Sequence, residues 1–269
     1  MSARKAASAP LQAFVLHRYD WSETSLILEL FTRERGRVVV VAKGAKRPYS
    51  QLRPVLLPFQ RVNVMLGRPP GDEASEVQLL RSAEWAGGVP CVAGAALFSG
   101  FYLNELLLKL LARQDPHPTL FDAYAHTLPS LAGTETPAST AALRAFELLL
   151  LQETGVLPEL DRVSHTLAAL APAGHYSLVA EQGLVAEGPD PVDGRTWLAL
   201  HAALAAGDLG ALQAACLGAL PALRLQLRGL LQYHLGHVAL RTRQVMLEVQ
   251  RLIDTPKDTP KDIPRDPAP

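Results

Sequence analysis

The sequence predicts an α+β chain in two parts, a small five-stranded β-barrel followed by a mainly helical domain. Three observations carry this. Five short runs rich in β-branched and aromatic residues fall within about 75 residues from Leu11. From about residue 91 onward leucine and alanine dominate and the apolar period becomes helical. At 269 residues and 48% apolar content, the chain is long enough and apolar enough for two domains with real cores.

Taken in order, residues 1–10 are small, polar and proline-ended, and read as a flexible leader. LQAFVLHRY, SLILELFT and GRVVVVAK then read as three antiparallel strands joined by short polar turns around Asp20–Glu23 and Arg33–Gly36. In the second of these, Leu26, Leu28 and Leu30 share one face, and Ile27, Glu29 and Phe31 the other. The valine run lacks alternation, which predicts cover on both faces. The segment PYSQLRPVLLP, bracketed by prolines, reads as irregular or a short helix. Strands over Gln60–Leu66 and Glu76–Glu84 follow, joined by a loop of turn formers, Gly67–Asp72. Five strands with an interruption after the third fit a closed barrel of the OB type over residues 11–86, and closure removes the exposed edges of an open sheet.

Residues 89–252 read as the helical domain. Helices are expected over Val89–Arg113, Leu120–Leu131, Ser139–Glu153, Arg195–Ala206 and Leu209–Leu220, with one long helix from Pro221 to Leu252. A small hairpin is expected near residues 176–187, around Gln182-Gly183. Residues 254–269, a proline-charge repeat, read as a disordered tail because they offer too little to bury.

Charge supplies the functional signal. The chain has 26 basic and 26 acidic residues, yet Arg33–Arg53 holds Arg33, Arg35, Arg37, Lys43, Lys46, Arg47 and Arg53 against the single acid Glu34. A local excess of this kind is the footprint of a surface that meets phosphates, or simply a solvated strand end. Tyr19, Trp21 and Tyr49 lie near enough in sequence to stack on bases or to pack in a core, whereas Phe31 and Phe59 are assigned to packing. A second basic set, Arg224, Arg228, Arg241 and Arg243, lies in the C-terminal helical region, where it could brace helices or contact a nucleic acid. Thr242 could add a hydrogen bond to a phosphate.

Several classes find no support. There is no G-x-x-x-x-G-K-[ST] loop, no nucleophile elbow and no paired-carboxylate motif, so no enzyme is expected. His234 and His237 are three apart, but no further ligand accompanies them at metal-binding spacing. Cys91 and Cys216 read as buried free thiols rather than a disulfide. The first ten residues carry no apolar segment of a secretory signal, and Val89–Asn104 is short for a bilayer span of ~20 residues. The chain is expected in the cytoplasm, without a membrane partner.

The order of HRYDWSETSLILELFTRERG, VVAKGAKR, LLPFQRV and the closing Leu240–Arg243, LRTR, resembles the bacterial recombination mediator family RecO. The resemblance is strongest over the first 75 residues or so. It implies an OB domain followed by a helical domain, binding of single- and double-stranded DNA, and annealing of complementary strands. It also implies contact with the acidic C-terminal tail of single-strand-binding protein, action with RecR to load RecA, and association with the nucleoid. Some members carry a four-cysteine zinc site just after the segment matched here by Glu153–Val163. This chain has no cysteine there, so it resembles the metal-free branch, and no cofactor is expected. The alternative is a protein-interaction scaffold of barrel plus helices with no direct role on DNA.

Overall fold

The computed structural model describes residues 9–67, 77–87, 94, 96–236 and 240–254. The greater part of the expected leader and tail, the Gly67–Asp72 loop beyond Gly67, the start of the Val89–Arg113 helix, Cys91, His237 and the side chain of Arg243 lie outside the described residues.

Strands β1 (Leu11–Asp20), β2 (Leu26–Thr32), β3 (Gly36–Ala42), β4 (Arg61–Gly67) and β5 (Val77–Trp85) close into a barrel in the order β1-β2-β3-β5-β4. β3 and β5 run parallel and the other neighbours antiparallel, which is the OB arrangement. Alternation selects the interior: Ala13, Val15, Leu28, Leu30, Val38, Val40, Val62, Val64 and Leu80 form one core. Residues 51–56 form successive turns rather than a helix, and place Leu52, Val55 and Leu56 against this core.

Outward residues in the middle of β1 and at the end of β2 are also buried. Phe14, Leu16 and Phe31 belong to the core of the helical region, where the Phe14 and Phe31 rings pack tilted against Phe121 with centroids at 5.2 and 5.5 Å. Phe59 joins the same core, so both phenylalanines assigned to packing are packed. Within the valine run Val38, Val39 and Val40 are buried, as the missing alternation implied, and Val41 is half-buried.

The helical region comprises α1 (Ala96–Leu110), α2 (Pro118–Leu131), α3 (Pro137–Glu153), α4 (Gly194–Ala206), α5 (Leu209–Leu217), α6 (Leu220–His234) and α7 (Arg241–Asp254). Strands β6 (His175–Val179), β7 (Gly183–Ala186) and β8 (Val192–Asp193) form a small sheet in which the expected hairpin gains a third strand. α3 is the centre, buried from Ala141 to Leu151 except at Leu143, and started by a reciprocal Thr136–Ser139 cap. Cys216 is buried, and burial pushes its thiol pKa up to about 12.

The long helix expected from Pro221 to Leu252 is two helices. α6 stops at His234 and is followed by Gly236 in the left-handed conformation (φ +67°), the usual device for ending a helix. A new helix starts at Arg241, because Glu105 of α1 accepts hydrogen bonds from the Arg241 and Thr242 amides at 2.9 and 3.0 Å. No described helix is long and apolar enough to cross a membrane.

Candidate nucleic-acid interface

β3 divides the basic stretch in two. Its seven residues span about 20 Å, so the turn before it and the loop after it lie at opposite ends of the barrel.

The turn end faces the helical region. Arg33 makes a bidentate pair with Asp122 of α2, with Nε–Oδ1 at 2.9 Å and Nη2–Oδ2 at 2.8 Å. Arg37 donates to the carbonyls of Leu108 and Leu111 at the end of α1, and its Nε lies 3.4 Å from Glu29. Glu29 also holds Arg113 at 3.2 Å. Both guanidiniums therefore join the two parts of the chain, a role their position in a basic run does not reveal. Arg35 stays exposed beside Gln78.

The loop end is open. Lys43, Arg47 and Arg53 are exposed. Lys46 ties this loop to the one between β1 and β2: its amide donates to Thr24 O at 2.9 Å, and its Nζ reaches Ser22 O and Asp20 Oδ1, each at 3.1 Å. Trp21 is 65% exposed and Tyr49 96%, so neither packs in a core. Tyr19 is half-exposed and its ring meets that of His17 at 4.4 Å. An open groove of about 460 Å³ is lined by Lys43, Gly44, Arg47, Pro48, Tyr49 and Ser50. Cations and exposed rings thus share one barrel end, the loop between β1 and β2 is part of it, and OB barrels bind oligonucleotides through that loop and the β2–β3 face.

The second basic set is scattered. Arg224 and Arg228 are exposed on α6, and their charge acts on a buried group in which Tyr102 donates to Glu147 at 2.6 Å and Arg144 pairs with Glu147 at 2.7 Å. Arg241 opens α7. The Thr242 hydroxyl donates to Glu105 at 2.8 Å, so its hydrogen is taken within the protein.

Sequence reasoning missed His17, Arg18 and Trp85, all exposed. For the first two a signal existed: the apolar run Ala13–Leu16 ends and four polar or aromatic residues follow, which marks the part of β1 that extends beyond its pairing with β4. Trp85, 61% exposed at the end of β5, sits in an alternating strand and gave none.

Residues 8–87 match the family model described as the Recombination protein O N terminal domain, and residues 93–244 the Recombination protein O C terminal domain. The chain belongs to the RecO family. It is 51% identical over 257 residues to the DNA repair protein RecO of Polaromonas naphthalenivorans (strain CJ2), covering 94% of this chain and 100% of that relative. It is also 51% identical over 251 residues to the DNA repair protein RecO of Variovorax paradoxus (strain S110), covering 89% and 96%. RecO membership assigns the chain to DNA repair and recombination, and the closed barrel with its helical partner is the fold in which this RecO sequence does that work.

Proposed function

We propose that this chain is a recombination mediator that binds single- and double-stranded DNA and anneals complementary strands without turning over a substrate. The observation that carries the reading is the gathering of Lys43, Lys46 and Arg47 with exposed Trp21 and Tyr49 at the barrel end away from the helical contacts. Backbone charge supplies affinity there, and the rings stack on bases without regard to sequence. Cations that neutralise two backbones at once lower their mutual repulsion, so that complementary bases can search for register.

Action with RecR to load RecA belongs to the same reading. So does capture of the acidic, Phe-ended tail of single-strand-binding protein. An apolar groove of about 450 Å³ among the helices, lined by Pro118, Ala123, Leu149, Leu204 and Leu212, offers such a tail a seat. Its rim carries Arg33 and His126 but also Asp122 and Asp208, so the apolar floor would do most of the holding.

The test is annealing of complementary oligonucleotides, and binding of a labelled single strand, as salt is raised. A variant with Lys43, Lys46 and Arg47 changed to Ala should bind with a shallower salt dependence, its slope reduced by ~0.7 for each phosphate that is no longer neutralised. Binding and annealing equal to wild type would remove DNA from this barrel end and favour the scaffold reading.

A further inference from the structure

Asn104 and Glu105, neighbours on α1, clamp two distant elements. Asn104 Nδ2 donates to Leu16 O of β1 at 2.9 Å, and Asn104 Oδ1 is itself held by the Tyr124 hydroxyl at 2.5 Å. Glu105 takes the start of α7 through the Arg241 amide, the Thr242 amide and the Thr242 hydroxyl, at 2.9, 3.0 and 2.8 Å. The residue after Leu16 is His17, so this clamp brings Arg241 within electrostatic reach of His17 and of the barrel strand that leads to Tyr19 and Trp21.

The surface so formed is cationic and exposed. His17, Arg18, Tyr19 and Arg241 all face solvent. Among the described residues no acidic side chain forms an ion pair with the Arg241 guanidinium. Glu29, the cross-strand neighbour of His17, is buried and already shared between Arg37 and Arg113. Partial burial lowers the His17 pKa, and Arg18 and Arg241 lower it further, against the pull of Glu29. His17 is thus disfavoured as a cation, and Arg18 and Arg241 carry the charge that an anion would meet.

We infer that His17, Tyr19 and Arg241 form a seam that continues the nucleic-acid track of the Lys43–Arg47 end across β1 to α7, with Glu105 as the residue that positions Arg241. A phosphate of the bound strand lies at Arg241, and the Tyr19–His17 ring pair offers a face to the neighbouring base. The seam joins one member of the C-terminal basic set to the barrel set on a single surface. It rests on the reading of the barrel end as a DNA site.

Glu105 gives the sharper test, because its two possible effects have opposite signs. If it is merely an acid near a DNA surface, removing it tightens DNA binding. If it positions Arg241, removing it weakens binding. Binding of fluorescein-labelled oligo(dT) should be followed by anisotropy across a salt series for wild type, R241A, E105A, the R241A/E105A double variant and K43A/R47A, with circular dichroism to confirm folding. R241A is expected to lower the salt slope by ~0.7, one phosphate on a single strand. E105A should reproduce that decrease, and the double variant should add little to either. A folded E105A that binds as tightly as wild type or more tightly overturns the positioning role, and an unchanged slope in R241A overturns the seam. If K43A/R47A loses affinity while R241A does not, the seam alone fails. If none of the variants loses affinity, the barrel-end reading fails with it.

Discussion

Glu147 has no exposure to water, and burial raises its pKa above the ordinary carboxylate value while Arg144 and the Tyr102 hydroxyl pull it back. The folded protein therefore holds this proton more tightly than the unfolded chain does. Stability from this group is highest below the unfolded pKa of ~4.3, and falls as pH rises through the window up to the raised folded value. Between pH 4 and pH 7 the urea midpoint of wild type should fall relative to that of Glu147→Gln, which lacks this titration. Glu147→Ala strands Arg144, which is itself 7% exposed, and should cost about 3–5 kcal/mol. Arg37 is a second residue whose part is decided by its partners. Arg37→Ala leaves the Leu108 and Leu111 carbonyls without their donor and Glu29 with Arg113 alone, and should destabilise by about 3 kcal/mol. The salt slope of DNA binding should stay unchanged in this variant. A slope that fell as it does for a phosphate-binding cation would place Arg37 at the DNA instead.

At the scale of elements, the strand ends matter more than the strands. The β2–β3 turn seats against the loop after α1 so closely that a Cβ on Gly36 would lie 1.8 Å from Asp115 O, and the residue has φ +66°. Gly36→Ala should therefore cost more than the ~1–2 kcal/mol of a left-handed non-glycine residue, because the backbone of Asp115 must also move. A loss of stability in urea unfolding of only that smaller amount would show that the seat is soft. Gly100 on α1 makes a similar demand, since its Cβ position is 2.8 Å from the Phe59 ring. These two glycines set how closely the helical region approaches the barrel. The opposite strand ends, the loop after β1 and the loop after β3, touch each other through Lys46 and stay in solvent.

The molecule as a whole is two cores sharing a wall. β1 and β2 give Val15 and Leu28 to the barrel, and Phe14 and Phe31 to the helical core, so neither part can expose its side of the wall without giving up packing. We expect the barrel and the helical region to unfold in one cooperative transition, with coincident fluorescence and circular dichroism melts, and two separated melts would contradict the shared wall. Zero formal net charge is compatible with binding a polyanion in this arrangement, because acids such as Asp122 and Glu29 are drawn to the inner end of the barrel to pair with its arginines.

The sequence alone determined the five barrel strands, the helical nature of the remainder and the small hairpin, because each is written locally: runs of β-branched and aromatic residues between turn formers for the strands, a period near 3.6 for the helices. It also determined the family, through the order of motifs along the chain. It misread the break before α7, since a glycine and a cap from a residue 136 positions away end one helix and start the next. The grouping of basic residues was decided only by tertiary structure. Seven cations clustered in sequence were parted by the length of β3, two were engaged by partners that include Asp122 and the Leu108 and Leu111 carbonyls of the helical region, and Arg241, from the far end of the chain, was set by Glu105 within electrostatic reach of His17. Charge in a sequence records how many cations there are. Which of them face solvent depends on partners distant in the chain, and pairing with those partners is a property of the fold.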